Sequence, residues 1–106
     1  MHAMTVSYPV AEDATFDYEY YQARHLPLCA ELFSQHGYRG CIFRSGASAA
    51  PAGEAREFAS VDLLFESLDA MRAGIAASGK AVSSDIPNFT NAKPRIMFSE
   101  IVVSQS

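Results

Sequence analysis

Tryptophan is absent from this sequence, cysteine occurs twice, and Lys and Arg together number 8 against 12 Asp and Glu, for a formal net charge of −4. So few cations, with no basic stripe, make nucleic acid and anionic membrane poor partners. Cys29 and Cys41 have no second pair beside them, a pattern that fits neither a zinc site nor a disulfide framework. Two unpaired thiols suit a reducing compartment. No apolar run nears the ~18 residues that a membrane span needs, and the N-terminus lacks the basic-then-apolar order of a secretory leader. A cytoplasmic location is therefore expected. There is no phosphate-binding glycine loop, no Gly-x-Ser-x-Gly elbow and no His-Glu-x-x-His helix. His25 and His36 are separated by Pro27, which breaks their register, so a metal pair is not expected. Nothing supports a nicotinamide or flavin site, and no cofactor is expected.

What is present is ordinary globular material: 106 residues, 49% hydrophobic and 19% charged. That is one domain, with enough chain to bury roughly two-thirds of its unfolded surface. Residues 4–10 alternate as a strand closed by Pro9. Thr15 and Asp17 are candidate N-caps for a helix over 18–36, on which Tyr21, His25, Leu28 and Leu32 share one face and after which Gly37 is a stop. Residues 38–45 read as a second strand, 46–54 as a mobile connection, and 57–65 as the clearest strand. Ser67 caps a helix carrying Leu68, Met71 and Ile75 to a stop at Gly79. Residues 80–91 read as a loop, and 95–103 as the last strand. The order βαββαβ predicts a ferredoxin-like α+β fold, an antiparallel four-stranded sheet with both helices on one face.

Such a sheet should alternate apolar and polar residues, yet two strands carry large apolar groups on both faces. On the third, Phe58 and Leu64 oppose Ala59, Val61, Leu63 and Phe65. On the last, Met97, Ile101 and Val103 oppose Ile96, Phe98 and Val102. Helices cover one face only, and each apolar side chain left wet costs on the order of 1.5–3 kcal/mol relative to burial. A homodimer closed through the sheet face is the expected remedy.

The segment 16–28, Phe-Asp-Tyr-Glu-Tyr-Tyr-Gln-Ala-Arg-His-Leu-Pro-Leu, holds the chemistry. Pro27 within a helical pattern forces a kink or a restart, because it cannot donate to the carbonyl of Ala23. His25 sits at that irregularity. A helix N-terminus beside it would keep the imidazole neutral, which suits a general base; satisfying the backbone groups freed by the kink is the other role open to it. Asp62 is predicted to point into the enclosed space, its carboxyl raised unless Arg44 or Arg95 pairs it. Tyr8 and Tyr21 are candidate pocket residues, and Phe89 a candidate lid.

This segment, Phe-Asp-x-x-Tyr-Tyr-x-x-x-His-x-Pro-Leu, resembles the EthD proteins of the dimeric α+β barrel superfamily, named for ethyl tert-butyl ether degradation. The run 61–70, Val-Asp-Leu-Leu-Phe-Glu-Ser-Leu-Asp-Ala, is similar to the family's strand-then-helix pattern. The resemblance implies a ferredoxin-like protomer, a homodimer and a pocket between sheet and helices. Related barrels include lactone isomerases, polyketide cyclases and cofactor-free monooxygenases. In the muconolactone isomerase branch a histidine of this helix works with a tyrosine opening the next strand, positions matched here by His25 and Tyr38; that branch's reactive cysteine has no counterpart.

Three functions are compatible with this reading. An enzyme could move a proton on a small, apolar, oxygen-bearing ligand, with His25 as base and Tyr38 or Asp62 as partner, in catabolism of ethers or aromatic and polyketide-like compounds. A non-catalytic carrier could serve a monooxygenase. A cofactor-free monooxygenase rests on fold alone.

Overall fold

The computed structural model describes residues 1–102. Strand β1 (His2–Pro9) leads through a loop to Asp17, whose carboxylate accepts from the Tyr20 amide at 3.0 Å and so caps the first helical segment. That segment consists of α1 (Tyr18–Tyr20), a π-helical turn (Tyr21–His25) and α2 (Leu26–Phe33). Strands β2 (Tyr38–Ser48) and β3 (Ala55–Phe65) follow as a hairpin. Helix α3 (Leu68–Ser84) starts behind Ser67, whose hydroxyl accepts from the Ala70 amide, and a 3-10 turn (Ile86–Asn88) precedes β4 (Arg95–Glu100). The sheet runs β2-β3-β1-β4 with antiparallel pairings throughout. This is the expected ferredoxin-like α+β fold.

Several boundaries differ from the sequence reading. β1 begins two residues earlier, at His2, pairing with both Phe65 and Glu100. β2 continues to Ser48, so the connection expected over 46–54 shortens to 49–54, the turn of the hairpin. Gly79 does not end α3, which runs on to Ser84. A mid-helix glycine costs roughly 1 kcal/mol, and continuing the helix buries Val82 against the sheet, which more than offsets that. β4 stops at Glu100, although the Ile101 amide still donates to the Met1 carbonyl at 2.9 Å; Val103 lies outside the described residues.

Register fixes what each face carries. One row across the sheet is Phe43, Val61, Val6 and Ile96, and the next is Cys41, Leu63, Met4 and Phe98. These rows lie on the helix side. Of their residues, Phe43, Val61, Val6, Leu63 and Met4 build the core with Tyr8, Tyr21, Phe33, Phe65 and Met71, whereas Cys41, Ile96 and Phe98 remain exposed. On the opposite face the rows are Ile42, Asp62, Thr5 and Met97, then Arg44, Ser60, Ser7 and Arg95. That face is less apolar than the alternation predicts. Its centre is polar, and the Phe58 ring instead stacks on Phe16 at 6.0 Å. Ile42 and Met97 do remain exposed there, at 49% and 71%. Among the described residues no helix is long and apolar enough to cross a membrane.

Candidate functional site

Pro27 produces neither a sharp kink nor a fresh start. Lacking an N–H, it sits in the first turn of α2, and the Leu26 amide bonds the Tyr21 carbonyl five residues back. The chain thus absorbs the missing donor as a single π turn, a device found often at functional sites. It brings Tyr21 and His25 inward from one stretch of helix, both buried and their rings stacked at 5.2 Å.

His25 is 3% exposed. Its Nδ1 lies 2.9 Å from Oδ2 of Asp85, the C-cap of α3. Asp85 in turn accepts from the Tyr20 hydroxyl at 2.7 Å and from the Asn88 amide nitrogen at 2.9 Å, both on Oδ1. Burial alone would push the Asp85 carboxyl up, but the bonds from Asn88, Tyr20 and His25 outweigh it and hold the group below its ordinary value. Asp85 is therefore a carboxylate, an acceptor only, so the proton of a neutral His25 sits on Nδ1 and Nε2 presents a lone pair. For His25 itself burial dominates and lowers its pKa; Asp85 works in the other direction without cancelling it.

The histidine stands in the wall of a cleft of about 240 Å³ between sheet and helices. Met4, Val6, Val61 and Leu63 form its floor, and Tyr21, His25 and Cys29 one side. The other side is α3, where Gly79 leaves room that a larger residue would fill, and Ile96 and Phe98 of β4 lie at the margin. A larger groove of about 920 Å³ at the hairpin end is open to solvent and has no buried titratable group in its wall.

Of the residues singled out from sequence, His25, Tyr8 and Tyr21 line this cleft together. Asp62 does not join them. It lies on the opposite face of the sheet, where Arg44 approaches at 3.0 Å and the Thr5 hydroxyl donates at 2.8 Å. Its carboxyl is lowered rather than raised, because these bonds outweigh the upward push of burial. Tyr38 is also apart from His25, packed against Phe33 and Phe65 at 6.2 and 5.7 Å. Phe89 is no lid. It is 3% exposed and props His25 from behind at 4.6 Å, meeting Tyr8 and Tyr21 edge-on. Cys29 lines the cleft, but burial pushes its thiol up to about 12, so it is not a nucleophile at neutral pH. Among the described residues no group of three or more His, Cys, Asp or Glu is placed to hold a metal.

Asp85 was missed from sequence. It lies 60 positions from His25 in a stretch read as loop, and only the capping habit of Asp before Ile-Pro hinted at it.

The βαββαβ topology, with a cleft between its layers, defines a ferredoxin-like α+β protein. Among solved structures the chain is similar to an EthD-like protein from Ralstonia eutropha, 27% identical, with TM-score 0.86 over 99% of this chain and 95% of that one. It is similar also to an ethyl tert-butyl ether degradation (EthD) family protein from Bacillus halodurans, 20% identical, TM-score 0.74, over 96% and 99%. These matches bear out the EthD resemblance. SnoaB, a cofactor-independent oxygenase from Streptomyces nogalater, shares the fold at 9% identity and TM-score 0.57, over 98% of each chain. No family model and no curated protein matches the chain.

Proposed function

We propose that this EthD-like chain binds a small, mostly apolar, oxygen-bearing molecule and moves a proton on it, with Nε2 of His25 as the base and Asp85 as the residue that positions it. One observation supports this above the others: a buried histidine, its tautomer set by a carboxylate, stands in the wall of an apolar cleft. Burial keeps the imidazole neutral at pH 7, and Asp85 stabilises the imidazolium formed when the proton arrives. The proposed setting is catabolism of ethers or of aromatic and polyketide-like compounds, in line with the ether degradation that gives the Bacillus neighbour its name.

The test is hydrogen–deuterium exchange at the acidic C–H of a bound cyclic ketone, followed by NMR. His25→Gln should lower the exchange rate by about 10²–10⁴-fold with ligand still bound. An equal rate in the variant ends the reading, and binding with no exchange in either protein leaves a carrier.

The proposed assembly is a homodimer closed through the sheet face that carries Ile42 and Met97. The fold shared with SnoaB favours a second reading, cofactor-free oxidation. Oxygen uptake with hydroquinones is its test, and no uptake discards it.

A further inference from the structure

Tyr21 is fully buried, and its hydroxyl has no hydrogen-bond partner. Among the described residues it is the one buried side-chain oxygen or nitrogen left so. The Tyr8 ring packs edge-on at 5.8 Å, near enough for the two hydroxyls to influence each other without completing a bond. A buried polar group without a partner is costly to keep, and phenylalanine would fit the same space. Such a cost is understandable where a ligand supplies the partner.

The surroundings narrow what that ligand is. Beside Tyr21 the buried cleft wall is apolar apart from Tyr8, His25 and the Cys29 thiol, and Ser83 reaches it only from the exposed side of α3. Lys80 is its only basic residue besides His25, and it is exposed on α3. With no buried cation inside, and the Asp85 carboxylate behind His25, an anionic ligand would be desolvated without compensation. About 240 Å³ falls below the usual range for drug-sized ligands and suits a ligand of one or two rings.

We infer that the cleft takes a neutral mono- or bicyclic molecule bearing a single oxygen, a phenol or the corresponding ketone, and that the Tyr21 hydroxyl binds that oxygen. This rests on the proton-transfer reading and names its substrate class. With a ketone, a Cα–H bond breaks, the proton goes to Nε2 of His25, and the electron pair is taken up as an enolate whose oxygen accepts from Tyr21. Burial raises the Tyr21 hydroxyl well above the ordinary tyrosine range, so it donates without losing its proton. With a phenol, the O–H donates to Nε2 of His25 and the phenol oxygen accepts from Tyr21, with no charge separated.

The experiment is a protein-observed NMR titration of wild type and Tyr21→Phe with 1-naphthol, naphthalene and 1-naphthoate. Wild type should prefer the naphthol, and the variant should lose about tenfold for naphthol with naphthalene unchanged. An unchanged naphthol preference in the variant, tightest binding of naphthoate, or binding of none of the three overturns the inference. The imidazole resonances of His25 separate the two claims. A Tyr21-dependent preference with no response at His25 keeps the inference and counts against proton transfer. A His25 response with no dependence on Tyr21 does the reverse.

Discussion

Asp85 accepts from Nδ1 of His25 at 2.9 Å, and this bond ties the end of α3 to the π turn of the first helical segment. With Nδ1 committed to the carboxylate, Nε2 is the nitrogen left for the proposed base. Asp85→Asn should therefore lower exchange catalysis by at least tenfold while ligand still binds. It should also move the His25 titration further down, because the negative charge that opposes the effect of burial is gone. NMR titration of the imidazole C–H signals checks this, and an upward shift would contradict the assignment.

Stability should fall in two steps on acidification. The folded chain resists protonation of His25, whose ordinary value is 6.5. Below 6.5 the unfolded chain binds a proton that the folded chain refuses, so stability drops as pH falls, by at most about 1.4 kcal/mol per pH unit for one group, and levels off below the folded value. Asp85 and Asp62 are lowered from an ordinary 3.8, so their contributions hold above that value and are lost as pH falls through their folded values. Urea midpoints at pH 7.5, 5.5 and 3 measure both steps. In His25→Gln the upper step should vanish. A wild type more stable at pH 5.5 than at 7.5 would show that Asp85, not burial, governs His25.

Tyr21→Phe should unfold at the same or higher urea concentration than wild type, despite its place in the core. The ring is retained, and the hydroxyl that is lost has no partner. Deleting a satisfied buried hydroxyl costs about 1 kcal/mol, whereas deleting an unsatisfied one removes a penalty of about 1–3 kcal/mol. A clear loss of stability would mean that the hydroxyl is bonded within the protein.

Element order and the helical face that holds Tyr21 and His25 were legible because both rest on local periodicity. Pro27 marked the irregularity, but its form as a π turn depends on which carbonyl the Leu26 amide reaches, a choice made by packing. Asp62 illustrates the opposite limit. Strand alternation put it on the correct face of β3, opposite Val61 and Leu63, but did not put the cleft on the other side. Asp85 was illegible for a third reason: its bond to His25 spans two elements whose approach depends on Gly74. There a Cβ would stand 3.2 Å from Phe33 and from His36.

Gly37 was expected as a helix stop, and its conformation gives that expectation a measurable cost. Its φ is +68°, and a Cβ there would lie 2.7 Å from the Glu66 side chain and 2.9 Å from that of Ala70. Gly37→Ala should destabilise by about 1–3 kcal/mol, from both backbone strain and crowding at the start of α3. Gly40→Ala is the control. Its φ is +103° and nothing lies within 4 Å of its Cβ, so its cost is backbone strain without crowding. Equal losses in urea melts would remove crowding from the explanation.

The proposed homodimer closes through the sheet face opposite the helices. Ile42 and Met97 end one cross-strand row, and between them lie Asp62 and Thr5, already bonded to each other at 2.8 Å. A twin sheet laid on this row would bury the two apolar ends, while the polar centre brings its own partners and needs few from across the interface. Placing a charge at each end should therefore oppose pairing without disturbing the cleft on the other face. The double variant Ile42→Glu, Met97→Glu is expected to sediment as a monomer where wild type sediments as a dimer, with its thermal midpoint independent of protein concentration. Should wild type itself sediment as a monomer, or the variant remain paired, the contact between copies would not run through this row.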